Sequence, residues 1–131
     1  MINGFEYETQ PLTDYEVNKL LPVFIQGLST KIGKANSVTN THIVKALKRL
    51  GLKVDGPRAR KIINHIRVKG LVHGLIATSD GYYIATTEKE LAEYEESLKG
   101  REDAIRAVRL SLSNQRKQMF PAKERQMSMS L

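Results

Sequence analysis

The clearest β signal in the chain is also its tightest constraint. Asp80-Gly81 stands between Leu75-Ile-Ala-Thr78 and Tyr82-Tyr-Ile-Ala85. Asp-Gly between two β-prone segments predicts a hairpin closed by a type I′ turn, whose two central residues both take positive φ. Two such short strands hold together only when packed against helices. The rest of the chain must supply those helices, so the expected fold class is α+β and mostly helical.

Helix signals fill the sequence before the hairpin. Thr13-Asp-Tyr-Glu16 is a capping box, with Leu12 and Val17 placed to form the accompanying hydrophobic staple. Val17, Leu20, Leu21, Phe24, Ile25 and Leu28 then recur at helical spacing, which predicts a buried face over residues 14–28. Pro22 lies on the other side and cannot donate to the Asn18 carbonyl, so a kink or local break is expected there. A loop at Lys31–Lys34 leads to Asn36-Ser-Val38, long enough for one short extended segment. Thr39 or Asn40 caps a helix to Leu50 with Ile43, Val44, Leu47 and Leu50 on one face, before Gly51 ends it. After a turn folded inward through Leu52 and Val54, Asp55 or Gly56 caps a third helix, with Pro57 in its first turn and Gly70 at its end. Ala59, Ile62, Ile63 and Ile66 share about a 100° arc of that helix and form its core stripe. Arg60, Lys61, Asn64, His65 and Val68 fall opposite.

Beyond the hairpin, Thr87-Glu-Lys-Glu90 is a second capping box and opens a helical run to Met119. Leu91, Leu98, Ile105, Leu112 and Met119 repeat every seven residues, with Tyr94 and Val108 between them and Arg101 and Gln115 interrupting, the pattern of a coiled-coil seam with two polar breaks. Glu95 with Lys99 and Glu102 with Arg106 support the helix from outside. Gly100 could divide it into a helical pair. The expected organisation is an N-terminal arm (1–12), a compact domain (13–86), a helical dimerisation segment (87–119) and a disordered tail (120–131).

Charge is unevenly placed. The chain carries +7 overall, yet residues 35–70 alone hold nine basic residues against one acidic. Solubility alone favours a mixed-sign surface, so a localised positive stretch over two successive helices points to a polyanion. Other classes fit poorly. There is no cysteine, which removes disulfides, thiolate zinc sites and thiol nucleophiles together and fits a reducing compartment. His42, His65 and His73 lack HExxH spacing, and Gly51–Gly56 lacks the P-loop pattern. The carboxylates of Glu88–Glu96 read as a solvated helix face. No catalysis, metal or cofactor is expected. No apolar run approaches the roughly 20 residues of a membrane helix, and the acidic MINGFEYETQ does not read as a signal peptide, which predicts a location in a bacterial cytoplasm and no membrane partner.

The order helix, short strand, helix, turn, helix, hairpin resembles the winged helix-turn-helix superfamily of DNA-binding domains. The resemblance is carried by TDYE from Thr13, NTHIVKALKRLG from Asn40 and GPRARKIINHIRVKGLV from Gly56. More loosely, the whole chain looks like small phage- or prophage-encoded proteins that append a C-terminal helix to such a domain. The resemblance implies that residues 57–69 form the recognition helix in the major groove, with Arg60, Lys61, Asn64 and His65 against base edges. It implies phosphate contacts from Lys45, Lys48, Arg49, Arg58 and Arg67. A homodimer joined through Leu91, Tyr94, Leu98, Ile105, Val108 and Leu112 would present two such helices to half-sites roughly 34 Å apart on double-stranded DNA; the other arrangement open to the seam is packing back onto the domain of its own chain. The family's wing often carries a basic tip, whereas Ser79-Asp80-Gly81 is slightly acidic, which predicts a structural role for the hairpin. The alternative is a protein-interaction adaptor using the same scaffold without DNA.

Overall fold

A computed structural model of the chain describes residues 10–122. The mixed, mostly helical class holds. A π-helical turn Glu16–Leu20 runs into α1 (Leu21–Leu28), followed by α2 (Asn40–Arg49), α3 (Gly56–Lys69), β1 (Leu75–Thr78), β2 (Gly81–Ile84) and α4 (Glu88–Met119). The chain divides into two compact units, one ending at Leu91 and the other starting at Ala92. Part of the expected N-terminal arm (1–9) and part of the expected tail (123–131) lie outside the described residues.

The first helix shows how Pro22 is accommodated. Leu21 donates its N–H to the Glu16 carbonyl, an i to i+5 bond, so the break expected at the proline appears as a wider turn just before it. Pro22 then occupies the start of α1, where a missing N–H is harmless. The wider turn also changes which side chains face inward. A turn closed at i+5 aligns residues four apart, so Glu16, not Val17, joins Leu20, Phe24 and Leu28 on the buried row. Val17 is exposed, contrary to the sequence reading.

The capping box itself forms. Thr13 Oγ1 accepts from the Glu16 N–H (3.2 Å) and Glu16 Oε1 accepts from the Thr13 N–H (2.8 Å). Thr39 caps α2 by accepting from the His42 N–H (3.1 Å), and Asp55 caps α3 by accepting from the Arg58 N–H (3.0 Å). Leu50 caps the C-terminal end of α2 and is 69% exposed, so it does not share the buried face of Leu47. The turn between α2 and α3 folds inward as expected. Leu52 and Val54 pack on the core, and the Tyr15 hydroxyl both accepts from the Lys53 N–H (3.2 Å) and donates to its carbonyl (3.3 Å).

β1 and β2 pair antiparallel, Leu75 with Ile84 through Thr78 with Gly81. The hairpin exists, but its turn is not type I′, because among the described residues none other than glycine has positive φ and Asp80 therefore does not. Ser79 and Asp80 form the loop, and Thr78 Oγ1 accepts from the Asp80 N–H (3.2 Å). Gly81 serves a different purpose. On the far side of β2, Val38 bridges Tyr82 through two backbone bonds of 3.0 and 2.8 Å; the extended segment expected at 36–38 is shorter than that, because Asn36 ends a 3-10 helical turn, Lys34–Asn36. A Cβ on Gly81 would lie 2.4 Å from the Val38 carbonyl oxygen. Both faces of the hairpin contribute buried residues: Leu75 belongs to the helical core, while the paired Ile76 and Tyr83 are buried outside that cluster. Tyr82 packs partly buried against the helices.

The core gathers Leu20, Phe24 and Leu28 with Val38, Leu47, Val72 and the α3 stripe. Ile62, Ile63 and Ile66 are at most 1% exposed, and each contributes about 1.5 to 3 kcal/mol by leaving water. That burial fixes the rotation of α3 about its own axis. The C-terminal segment is one helix and not a pair, since α4 runs unbroken through Gly100. Its opening box is displaced by one residue: Thr87 Oγ1 accepts from the Glu90 N–H (3.1 Å), but Glu90 reaches back to the N–H of Thr86 (2.9 Å).

Candidate nucleic-acid interface

With the isoleucine stripe buried, the opposite side of α3 faces solvent. Arg60 and Asn64 are exposed, Lys61 and His65 are half-buried, and Val68 is 74% exposed. All four candidate base-reading residues thus sit on the outer side of one 14-residue helix. Its start is positioned from two directions. Asp55 caps it, and Asn40 Nδ2, at the first residue of α2, donates to the Gly56 carbonyl at 3.0 Å. Asn40 therefore pins the first turns of the two helices together, with its Oδ1 buried and, among the described residues, without a hydrogen-bond partner. The Arg60 guanidinium lies close by, with Nη1 3.6 Å from where a Cβ on Gly56 would stand.

Among the residues expected at phosphates, Lys45, Lys48 and Arg49 are exposed on α2, and Arg67 is half-buried in the last turn of α3. Arg58 is a correction. It is only 3% exposed and is committed inside the chain. Its Nε donates to Glu16 Oε2 at 2.7 Å, its Nη2 to Glu16 Oε1 and to the Pro11 carbonyl (2.9 Å), and its Nη1 to the Gln10 carbonyl (3.0 Å). A guanidinium held in this fork cannot also reach a phosphate. Glu16 is the partner that sequence reasoning missed. Hydrogen bonding from Arg58 holds its carboxyl below the usual carboxylate range, with Thr13 adding to that effect and burial opposing it. The signal was present in the spacing. Arg58 precedes Ile62 and Ile66 by four and eight residues, and Glu16 stands in the same relation to Leu20 and Phe24.

The resulting surface is positive on α2 and on the outer side of α3, with a neutralised pair beneath it. The hairpin adds no positive charge, since Ser79 and Asp80 are both exposed at its tip. On α4, Leu91 and Tyr94 are half-buried, whereas Leu98, Ile105, Val108 and Leu112 are 38 to 70% exposed. Among the described residues, no helix is long and apolar enough to cross a membrane. Compared with known protein families, curated proteins and solved structures, the chain matches none of them.

Proposed function

We propose that this protein binds double-stranded DNA and reads sequence through α3, as a winged helix-turn-helix domain of the kind found in phage or prophage regulators and replication accessory factors. The observation that carries the reading is the rotation of α3. Its buried isoleucines leave Arg60 and Asn64 exposed on a rigid helix, while the preceding helix exposes Lys45, Lys48 and Arg49. Arginine has the paired donors that guanine O6 and N7 require, and asparagine has the donor and acceptor that match an adenine edge. Lys61 and His65 flank them. The α2 cations and Arg67 set register on phosphates without reading bases. The order helix, strand-like Val38, helix, helix, hairpin supports the winged topology, and the acidic hairpin tip leaves α3 with most of the contact. Two copies joined along α4 present two reading helices to a pseudo-palindromic site.

Salt titration of duplex binding is the test. With Arg58 withdrawn from the surface, four phosphate-contacting cations remain per protomer, so log K should fall against log salt with a slope of about −3.6 per protomer. Absence of duplex binding at low salt rejects this reading and leaves the adaptor.

Two substitutions separate base reading from charge. Asn64→Ala is expected to cost about 1 to 3 kcal/mol at one base position and relax preference there, whereas Lys48→Ala weakens all sequences alike and lowers the salt slope by about 1. Binding profiles over a randomised duplex library check this, and identical profiles for the two variants would refute the placement of α3 in the groove.

A further inference from the structure

We infer that α4 pairs antiparallel with α4 of a second copy, in the register that sets Ile105 of one copy against Val108 of the other. The inference rests on the proposed dimer and adds its orientation. Leu91, Leu98, Ile105 and Leu112 are the first core positions of successive heptads, with Tyr94, Arg101, Val108 and Gln115 as the second core positions. In the middle of this face, Ala104, Ile105, Val108, Arg109 and Leu112 line a shallow apolar concavity.

Charge decides the orientation. The residues just after the second core position of each heptad are Glu95, Glu102, Arg109 and Arg116: acidic in the first half of the helix and basic in the second. The whole helix follows suit, since residues 88–103 carry seven carboxylates against three basic residues, and residues 104–119 carry four basic residues and no acidic one. Of those just before the first core position, Glu90 is acidic, and Ser97, Ala104, Ser111 and Gln118 are uncharged. In a parallel pair the first set faces the second, so the charges of Glu102, Arg109 and Arg116 meet nothing of opposite sign and Glu95 meets Glu90 of the other copy. In an antiparallel pair the first set faces itself. With Ile105 against Val108, Glu102 meets Arg109 and Glu95 meets Arg116, each twice by symmetry. Among the described residues, none of these four side chains has an ion-pair partner within its own chain, so the Glu95–Lys99 and Glu102–Arg106 pairs expected from the sequence do not form.

The polar breaks agree. A parallel pair stacks Arg101 on Arg101 in the core, a like-charge contact. The antiparallel register instead lays the Arg101 stem beside Leu112 and Gln115 beside Leu98, and at 1.5 Å per residue it separates the two Arg101 positions by about 16 Å along the axis, beyond the screening length at physiological salt.

Because the chain has no cysteine, single substitutions report orientation cleanly. Leu98→Cys and Gln115→Cys are made separately in the full chain and oxidised alone and as an equimolar mixture. The antiparallel pair gives a disulfide only in the mixture, between one variant and the other. Within either variant alone the two sulfur-bearing positions are about 25 Å apart along the axis, far beyond disulfide reach. A disulfide in each variant alone overturns the orientation while leaving the dimer intact. A monomer by light scattering at every concentration overturns the dimer and the orientation together. Charge reversal gives an independent readout. Glu102→Arg and Arg109→Glu should each weaken self-association about tenfold, and mixing the two variants should restore it, because every facing pair is then of opposite sign. Failure of the mixture to recover overturns the register.

Discussion

Glu16→Ala is expected to destabilise the fold by about 3 to 5 kcal/mol, read as the loss in unfolding free energy from a urea titration. The cost does not come from the attraction between two charges alone. Arg58 would be left buried with its fork to Glu16 open, although the Gln10 and Pro11 carbonyls still accept from it. The capping box would fail at the same time, since Glu16 Oε1 also accepts from the Thr13 N–H. Against a typical total of about 5 to 15 kcal/mol, this is a large fraction. Replacing both partners, as Glu16→Leu with Arg58→Met, should recover most of the loss, because an apolar pair of similar volume leaves no charge unpaired. A double variant as unstable as Glu16→Ala would show that the pair does more than satisfy itself.

The same pair sets an acid limit. The Glu16 carboxyl is held below the ordinary value of 4.5 in the folded chain, so its stabilisation is fully present above that value and is lost as pH falls through the lower, folded value. Unfolding free energy should therefore decline below about pH 4.5 in the wild type. The component due to Glu16 should be missing from that decline in Glu16→Gln, which cannot titrate at this position and is already destabilised at neutral pH. Parallel declines in the two proteins would assign the acid sensitivity to other carboxylates.

How far the sequence reveals this fold depends on the kind of signal. Caps, glycine stops and the isoleucine stripe of α3 are local and periodic, and they predict the helices and the outward placement of Arg60 and Asn64 well. What escapes local reading is whatever depends on a distant segment. Arg58 reads as one more surface cation until Glu16, 42 residues away, is placed against it. Val17 reads as core because a 3.6-residue period is assumed, and the wider turn before Pro22 breaks that period just where Glu16 takes its place. Gly81 reads as a turn glycine, although the constraint on it comes from Val38 on a neighbouring segment.

Gly81→Ala makes that last distinction measurable, with an expected cost of about 3 to 5 kcal/mol. Its φ of +122° is a conformation that side chains rarely adopt, and the added Cβ would stand 2.4 Å from the Val38 oxygen, 2.6 Å from its carbonyl carbon and 3.0 Å from the Thr39 nitrogen. These are backbone atoms and cannot swing aside as a flexible side chain would. Relief requires separating Val38 from β2, which gives up the two Val38–Tyr82 backbone bonds, each worth about 1 kcal/mol. Because Thr39 caps α2, the displacement would be passed to the helix that carries Lys45, Lys48 and Arg49. Gly51→Ala is the control: its φ is +77°, nothing among the described residues lies within 4 Å of the added atom, and the expected cost is only about 1 kcal/mol. Thermal unfolding of the two variants side by side tests the argument. Equal losses would mean that backbone conformation alone sets the cost, and that the close approach of Val38 to the hairpin contributes nothing.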